Sequence, residues 1–219
     1  MPSFTVVPRT LPTRAPMLLL GDSTTYGSGN GGLSYRQALM KLLRPPYYVD
    51  FVGPYQSVAS PTTEVDQDHA GLSGDFLSNM VTRVVTNIAV YHPKIVLLMG
   101  GINDLATGVS GSGCLTLLES VLAAIYGADP TIVTIVAQIP FEGVPFYLVD
   151  AVAYNAGIPT SVATRVAAGQ YVSYVDNHTG ITTGDGIHPD AASYTEIANR
   201  WYAGLLAYAP ALAALEAAS

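Results

Sequence analysis

Short apolar or β-branched runs alternate along the chain with longer stretches whose apolar residues recur every three or four positions. The runs occupy 17–21, 47–53, 94–100, 131–137 and 171–176. The stretches between them, 33–43, 75–91, 114–126, 145–168 and 191–208, carry the spacing of helices that cover a sheet. Five strands alternating with five helices are the mark of successive βαβ units around a parallel sheet. Ile95-Val96-Leu97-Leu98-Met99 is apolar at every position, so that strand must be covered on both faces. The pattern predicts a three-layer α/β/α sandwich with a five-stranded parallel sheet, and right-handed crossovers restrict it to a doubly wound topology. Residues 107–113, rich in Gly and Ser, read as a loop, and residues 1–16, with four prolines, as an extended N-terminal segment. No repeat or linker interrupts the 219 residues, which predict a single domain over 1–219. Ligands of such folds gather beyond the carboxyl ends of the strands, and chemistry is expected there.

Composition narrows the function classes. Hydrophobic residues make up 49% and charged residues 11%, which supplies a large core and excludes a disordered chain. Sixteen acidic residues against nine basic ones give a net charge of -7, and no Lys/Arg run exists to neutralise a phosphate backbone, so nucleic acid is not expected as a partner. The purely aliphatic stretches are far shorter than the ~20 residues that cross a bilayer, and no membrane span is expected. Cys114 is the sole cysteine, which leaves no intrachain disulfide. Few lysines, many Thr, Ser, Tyr and Gly residues and an acidic pI suit a secreted protein. The first sixteen residues lack the apolar centre of a signal peptide, so a leader is expected to be absent from this chain.

The first strand ends in Gly21-Asp22-Ser23-Thr24-Thr25, which places a hydroxyl just past a strand and before a helix. A lone serine hydroxyl is a weak nucleophile and needs a base within hydrogen-bond reach. Near the other end of the chain stands Asp185-Gly186-Ile187-His188-Pro189-Asp190. An aspartate three residues before a histidine can hold one imidazole nitrogen while the other faces Ser23. Among the other histidines, His92 reads as part of a surface turn and His178 as a residue of the site rim. Acyl transfer also needs donors aimed at the developing oxyanion. Gly74, in Asp68-His69-Ala70-Gly71-Leu72-Ser73-Gly74-Asp75, can offer an unobstructed N–H, and Asn103, in Gly100-Gly101-Ile102-Asn103-Asp104, a side-chain NH₂. Each segment alone is an ordinary turn; their placement after successive strands carries the weight.

These residues resemble the GDSL-type, or SGNH, serine hydrolases over nearly the whole chain. Gly21-Asp22-Ser23 matches the family's first block, Gly74 its glycine block, Gly101-Ile102-Asn103-Asp104 its Gly-x-Asn-Asp block and Asp185-Gly186-Ile187-His188 its Asp-x-x-His block. The resemblance implies a flavodoxin-like sheet with Ser23 as nucleophile, His188 as base and Asp185 as its orienter. It also implies an oxyanion hole made by the Ser23 and Gly74 N–H groups and Asn103. Gly71 is the alternative register in the glycine block; Gly74 is preferred because Ser-Gly-Asp opens a helix. Phe51-Val52-Gly53, with Asp66-Gln67-Asp68-His69-Ala70-Gly71-Leu72-Ser73-Gly74, is similar to the acetyl xylan esterase branch that contains carbohydrate esterase family three. The implied activity is hydrolysis of short-chain acyl esters through an acyl-serine, most of all deacetylation of carbohydrates. A short-chain lipase, arylesterase or thioesterase of the same fold is the alternative. The implied partner is a small-molecule or carbohydrate ester, with no metal or organic cofactor.

Three rival readings fit parts of the chain. Gly27-Ser28-Gly29-Asn30-Gly31-Gly32 satisfies Gly-x-Gly-x-x-Gly and has Asp50 about twenty residues on, as dinucleotide-binding sites do. That fingerprint begins at the strand end, whereas five residues intervene here after Gly21. The glycines are expected instead to form a loop beside the nucleophile. Asp66, Asp68, His69 and Asp75 read better as hydrogen-bonding groups near a helix start than as a metal site. A binding module that stacks sugars on its tyrosines leaves the nucleophile, base and acid unused, and Tyr47, Tyr48 and Tyr171 read as core or strand-edge packing.

Overall fold

The computed structural model describes residues 14–56, 66–143 and 148–219. A sheet of seven strands, mostly parallel, runs through the centre. The first strand, β1 (Ala15–Gly21), pairs in parallel with β5 (Ile95–Met99) on one side, and the sheet continues through β6 (Val133–Ala137) to β7 (Val172–Val175). On its other side β1 has two partners in succession. β2 (Val49–Val52) takes its first half, Ala15 to Leu18, and β4 (Asp68–Gly71) takes its end at Leu20 and Gly21. A short strand, β3 (Tyr55–Gln56), runs antiparallel beside β4.

The five expected strands are present in the flavodoxin order 2-1-3-4-5. The predicted count of five is corrected to seven by β3 and β4. Asp68-His69-Ala70-Gly71 has little intrinsic preference for extended structure, yet it forms a strand because the last two residues of β1 extend beyond β2 and offer unpaired backbone groups. Every residue of β5 and β6 is buried, as strands covered on both faces require.

Helices α3 (Leu77–Tyr91), α5 (Gly111–Ala128) and α6 (Leu148–Ala167) pack side by side as one layer, and α2 (Tyr35–Leu43) pairs with α7 (Ala191–Ala207) as the other, α7 also bearing α8 (Ala209–Glu216). Two one-turn helices, α1 (Ser23–Tyr26) and α4 (Ile102–Ala106), lie directly after β1 and β5. Ser34 and Gln37 close a reciprocal capping box at the start of α2, which fixes where that helix begins. Residues 107–113 are a loop only as far as Ser110, whose hydroxyl accepts the Gly113 N–H and starts α5 at Gly111. α5 is long and apolar enough to cross a membrane by length and composition; here it packs against α3 and α6 and buries Leu118, Val121, Leu122 and Ile125.

Of the predicted N-terminal segment 1–16, Ala15 and Pro16 already belong to β1, and residues 1–13 lie outside the described residues. The predicted start of α6 at 145 lies outside them too. His92 ends α3 in a left-handed turn before β5. Tyr47 is half-buried, Tyr48 is exposed beside β2, and Tyr171 is exposed next to β7, an edge strand.

Candidate active site

The carboxyl ends of β1, β4 and β5 converge on one point. β1 delivers Ser23 at the first turn of α1, where Asp22 Oδ1 accepts the Thr24 N–H at 3.0 Å and caps the helix. The segment between β7 and α7 carries Asp185 and His188. Its far end is set by Asp190, whose carboxylate caps α7 through the Ser193 N–H at 2.8 Å. Across 165 positions of sequence, His188 Nε2 stands 2.9 Å from Ser23 Oγ. The other ring nitrogen, Nδ1, lies 2.7 Å from Asp185 Oδ2, while Asp185 Oδ1 accepts the Ile187 and His188 N–H groups at 3.1 and 2.8 Å. Partial burial works against the Asp185 carboxylate, but the His188 ring and the two N–H groups outweigh it and hold the carboxyl below its usual range. A deprotonated Asp185 leaves Nε2 to meet the serine hydroxyl as an acceptor.

Gly74 lies in the turn after β4 with φ +77°, and a Cβ there would meet nothing within 4 Å. Among the described residues no acceptor takes its N–H. The Gly71 N–H, in contrast, donates to His69 Nδ1 at 3.1 Å, and Gly71 packs so closely that a Cβ would lie 2.6 Å from the Tyr26 backbone nitrogen. Of the two registers, then, only Gly74 has an N–H without an acceptor among the described residues.

Asn103 and Asp104, on α4, both reach toward the segment that follows Gly74. Asn103 Nδ2 donates to the Asp75 carbonyl at 2.9 Å, which leaves its second N–H unused. Asp104 Oδ2 accepts the Leu77 N–H at 3.0 Å and caps α3 from a distance, since Phe76 at the N-cap offers no side-chain acceptor. Asp75, buried, forms an ion pair with Arg83, whose guanidinium also donates to the Ala70 and Gly21 carbonyls at the ends of β4 and β1. Arg83 thus ties the strand that leads to Ser23 to the glycine turn. Sequence reasoning missed it; the sole charged residue of α3, in a chain with nine basic residues, was the available signal.

Burial shapes the charges around the serine. Asp22 is almost fully buried, and desolvation pushes its carboxyl up to about 6, against the Thr24 N–H and the nearby His188. Asp104 is raised for the same first reason. His69 is fully buried beside Tyr26 and Tyr55, and desolvation drives it down to about 3, so it stays neutral and accepts from Gly71. The four residues weighed as a metal cluster go to separate partners. Asp66 accepts the Phe51 and Asp68 N–H groups, Asp68 accepts from Gln56, Asp75 pairs with Arg83 and His69 accepts from Gly71.

The glycine-rich stretch 27–32 loops over the histidine. A Cβ on Gly29 would lie 3.4 Å from His188 Cβ, and Ser28 Oγ is 3.1 Å from Ser73 Oγ on the glycine turn. A cleft of ≈ 290 Å³ opens between this loop and Asp185, His188 and Asp190. Asp50, the residue a dinucleotide ribose would need, lies in β2 and faces Arg14. His178, expected at the rim, stacks on Phe141 with ring centroids 4.2 Å apart.

A serine, imidazole and carboxylate in line at the carboxyl edge of a doubly wound sheet are equipped for acyl transfer. The chain belongs to the GDSL-like lipase/acylhydrolase family, whose model matches residues 19–195. Among solved structures it is similar to a family 3 carbohydrate esterase from Clostridium thermocellum, with 29% identity, a TM-score of 0.75, and coverage of 87% of this chain and 94% of that one. An acetyl esterase solved with an acetate ion is 25% identical, with a TM-score of 0.75 and coverage of 88% and 97%. A multidomain esterase of Ruminococcus flavefaciens is 27% identical over 210 residues; the match takes in 83% of this chain, and the chain spans only 27% of that relative's length.

Proposed function

We propose that the protein is a serine esterase that removes short acyl groups, acetyl foremost, from carbohydrate esters. The observation that carries this reading is the unbroken line from Ser23 Oγ through His188 to Asp185, at 2.9 and 2.7 Å. Ser23 Oγ attacks the ester carbonyl carbon as His188 Nε2 takes its proton, and Asp185 stabilises the imidazolium that forms. The carbonyl oxygen becomes an oxyanion, held by the N–H groups of Ser23 and Gly74 and the spare N–H of Asn103. The Ser23 N–H is available because the first amides of a helix have no partner within it. Collapse of the tetrahedral species expels the alcohol, which receives the proton from His188. Water then attacks the acyl-serine with His188 again as base and releases the acid.

The carbohydrate part of the reading is supported by likeness to the family 3 carbohydrate esterase and to the acetyl esterase. The net charge of -7 disfavours anionic polymers such as pectate and leaves neutral acetylated xylan or small acetylated sugars as the better substrates. A secreted setting fits a polysaccharide substrate.

Two measurements test the proposal. Ser23→Ala should lower ester turnover by at least about 10³-fold with folding intact; unchanged hydrolysis refutes Ser23 as nucleophile. A p-nitrophenyl ester series run beside acetylated xylan and glucose pentaacetate should favour acetyl. Preference for long acyl chains refutes the acetyl assignment and moves the protein to the lipases or thioesterases.

A further inference from the structure

The loop that carries Asp185 and His188 is exposed along much of its length and belongs to no helix or regular strand. It closes on itself by an antiparallel bridge between Thr183 and Pro189 and by the Gly184 N–H, which donates to the His188 carbonyl at 3.0 Å. Those contacts shape the loop but do not fix where it stands relative to β1.

Ser193 of α7 holds its start, its Oγ accepting the Thr182 N–H at 3.0 Å, and a second residue from outside grips it nearer the two side chains. Glu142 lies in the segment that follows β6, and its Oε2 accepts both the Thr183 N–H at 2.7 Å and the Thr183 hydroxyl at 3.0 Å. Its own N–H donates to the Gly186 carbonyl at 2.8 Å. Thr183 stands two residues before Asp185 and Gly186 two residues before His188, so the clip holds the loop on the approach to both side chains. The platform beneath Glu142 is itself anchored. Asn155 of α6, buried, brackets the peptide groups of Ile139, accepting its N–H and donating to its carbonyl, both at 2.9 Å.

We propose that Glu142 is a positioning residue for ester hydrolysis: it holds the Asp185–His188 loop against the sheet so that the imidazole stays at hydrogen-bond distance from Ser23. The proposal rests on the reading of Ser23 as nucleophile and His188 as base. Glu142 does not touch the reacting atoms. Its effect passes through the place of the imidazole, and a displacement of about 1 Å at a catalytic group can cost about 10²-fold in rate. What Thr183 needs is an acceptor oxygen at one point in space, which an amide also provides.

The test compares Glu142→Ala, Glu142→Gln, Thr183→Val and the Glu142→Ala/Thr183→Val double variant on p-nitrophenyl acetate, with folding followed by circular dichroism. Glu142→Ala should lose about 10²-fold in kcat, with KM changed by less than about twofold, and Glu142→Gln should recover most of it. Thr183→Val removes only the hydroxyl bond and should lose less, and the double variant should fall no further than Glu142→Ala alone, as members of one contact do. Wild-type kcat in Glu142→Ala, or a Gln variant as impaired as the Ala variant, overturns the proposal. If Glu142→Ala does not fold, a tenfold or greater kcat loss in Glu142→Gln, or wild-type kcat in Thr183→Val, overturns it as well. Ser23→Ala is run beside these variants: its inactivity with an unaffected Glu142→Ala sinks the clip alone, and its full activity sinks the parent reading and the clip together.

Discussion

Replacing Asp22 by Asn removes a buried charge while keeping the shape of the side chain and the oxygen that accepts the Thr24 N–H. Asp22 is only 1% exposed, and burial raises its carboxyl from the ordinary 3.8 to about 6. The folded chain therefore binds that proton more tightly than the unfolded chain does. Stability from this group is complete below 3.8, where both states are protonated, and is lost as pH rises through the window from 3.8 to about 6. Asn does not ionise, so the variant escapes the loss. At roughly 1.4 kcal/mol per pH unit the full window corresponds to about 3 kcal/mol. Between pH 4 and pH 8 the stability of Asp22→Asn relative to the parent should grow by about 2–3 kcal/mol, or about 5–10 °C in Tm for a chain of this size. Urea unfolding of both proteins at the two pH values measures it. Any fixed effect of exchanging an oxygen for an NH₂ group is the same at both and cancels. A difference that stays constant from pH 4 to pH 8 would refute the claim that burial holds Asp22 in its acid form.

On the proposed oxyanion role of Asn103, Asn103→Ala should lower kcat by about 10²–10³-fold; a loss below tenfold would leave Asn103 only its hydrogen bond to the Asp75 carbonyl. The two glycines of the turn after β4 should part company on substitution by alanine. Gly74→Ala meets no neighbour, so its cost is the left-handed backbone alone, about 1–2 kcal/mol. Gly71→Ala drives a methyl into the backbone of Thr25 and Tyr26, so it should displace α1 and depress kcat along with Tm. Equal Tm and kcat in the two variants would contradict the packing described for Gly71.

Much of this was legible in the chain because two signals agreed. The fully apolar strand 95–99 and the three- and four-residue spacing of the helices specify the layers, and Ser23, Asn103, Asp185 and His188 stand in motifs that follow those elements. What was not legible depends on partners distant in sequence. β4 exists because β1 outlasts β2, which no local propensity in Asp68-His69-Ala70-Gly71 announces. The choice between Gly71 and Gly74 turns on a buried, neutral His69 that occupies one of the two donors. Gly111 and Gly113 made the start of α5 read as loop, and the capping hydroxyl of Ser110 outweighed them. Arg83 and Glu142 stand in no motif at all, and their roles come from carbonyls and hydroxyls that only the folded chain brings near.

The pairing of Asp185 with His188 spans three residues, whereas that of His188 with Ser23 spans 165. The first is thus decided within one turn of backbone and the second by the entire fold. Damage far from the turn shifts how far the imidazole stands from the Ser23 hydroxyl, and on the proposed mechanism activity declines by degrees. Damage inside the turn changes which ring nitrogen carries the proton, and the loss is of another kind, closer to a switch than to a slope.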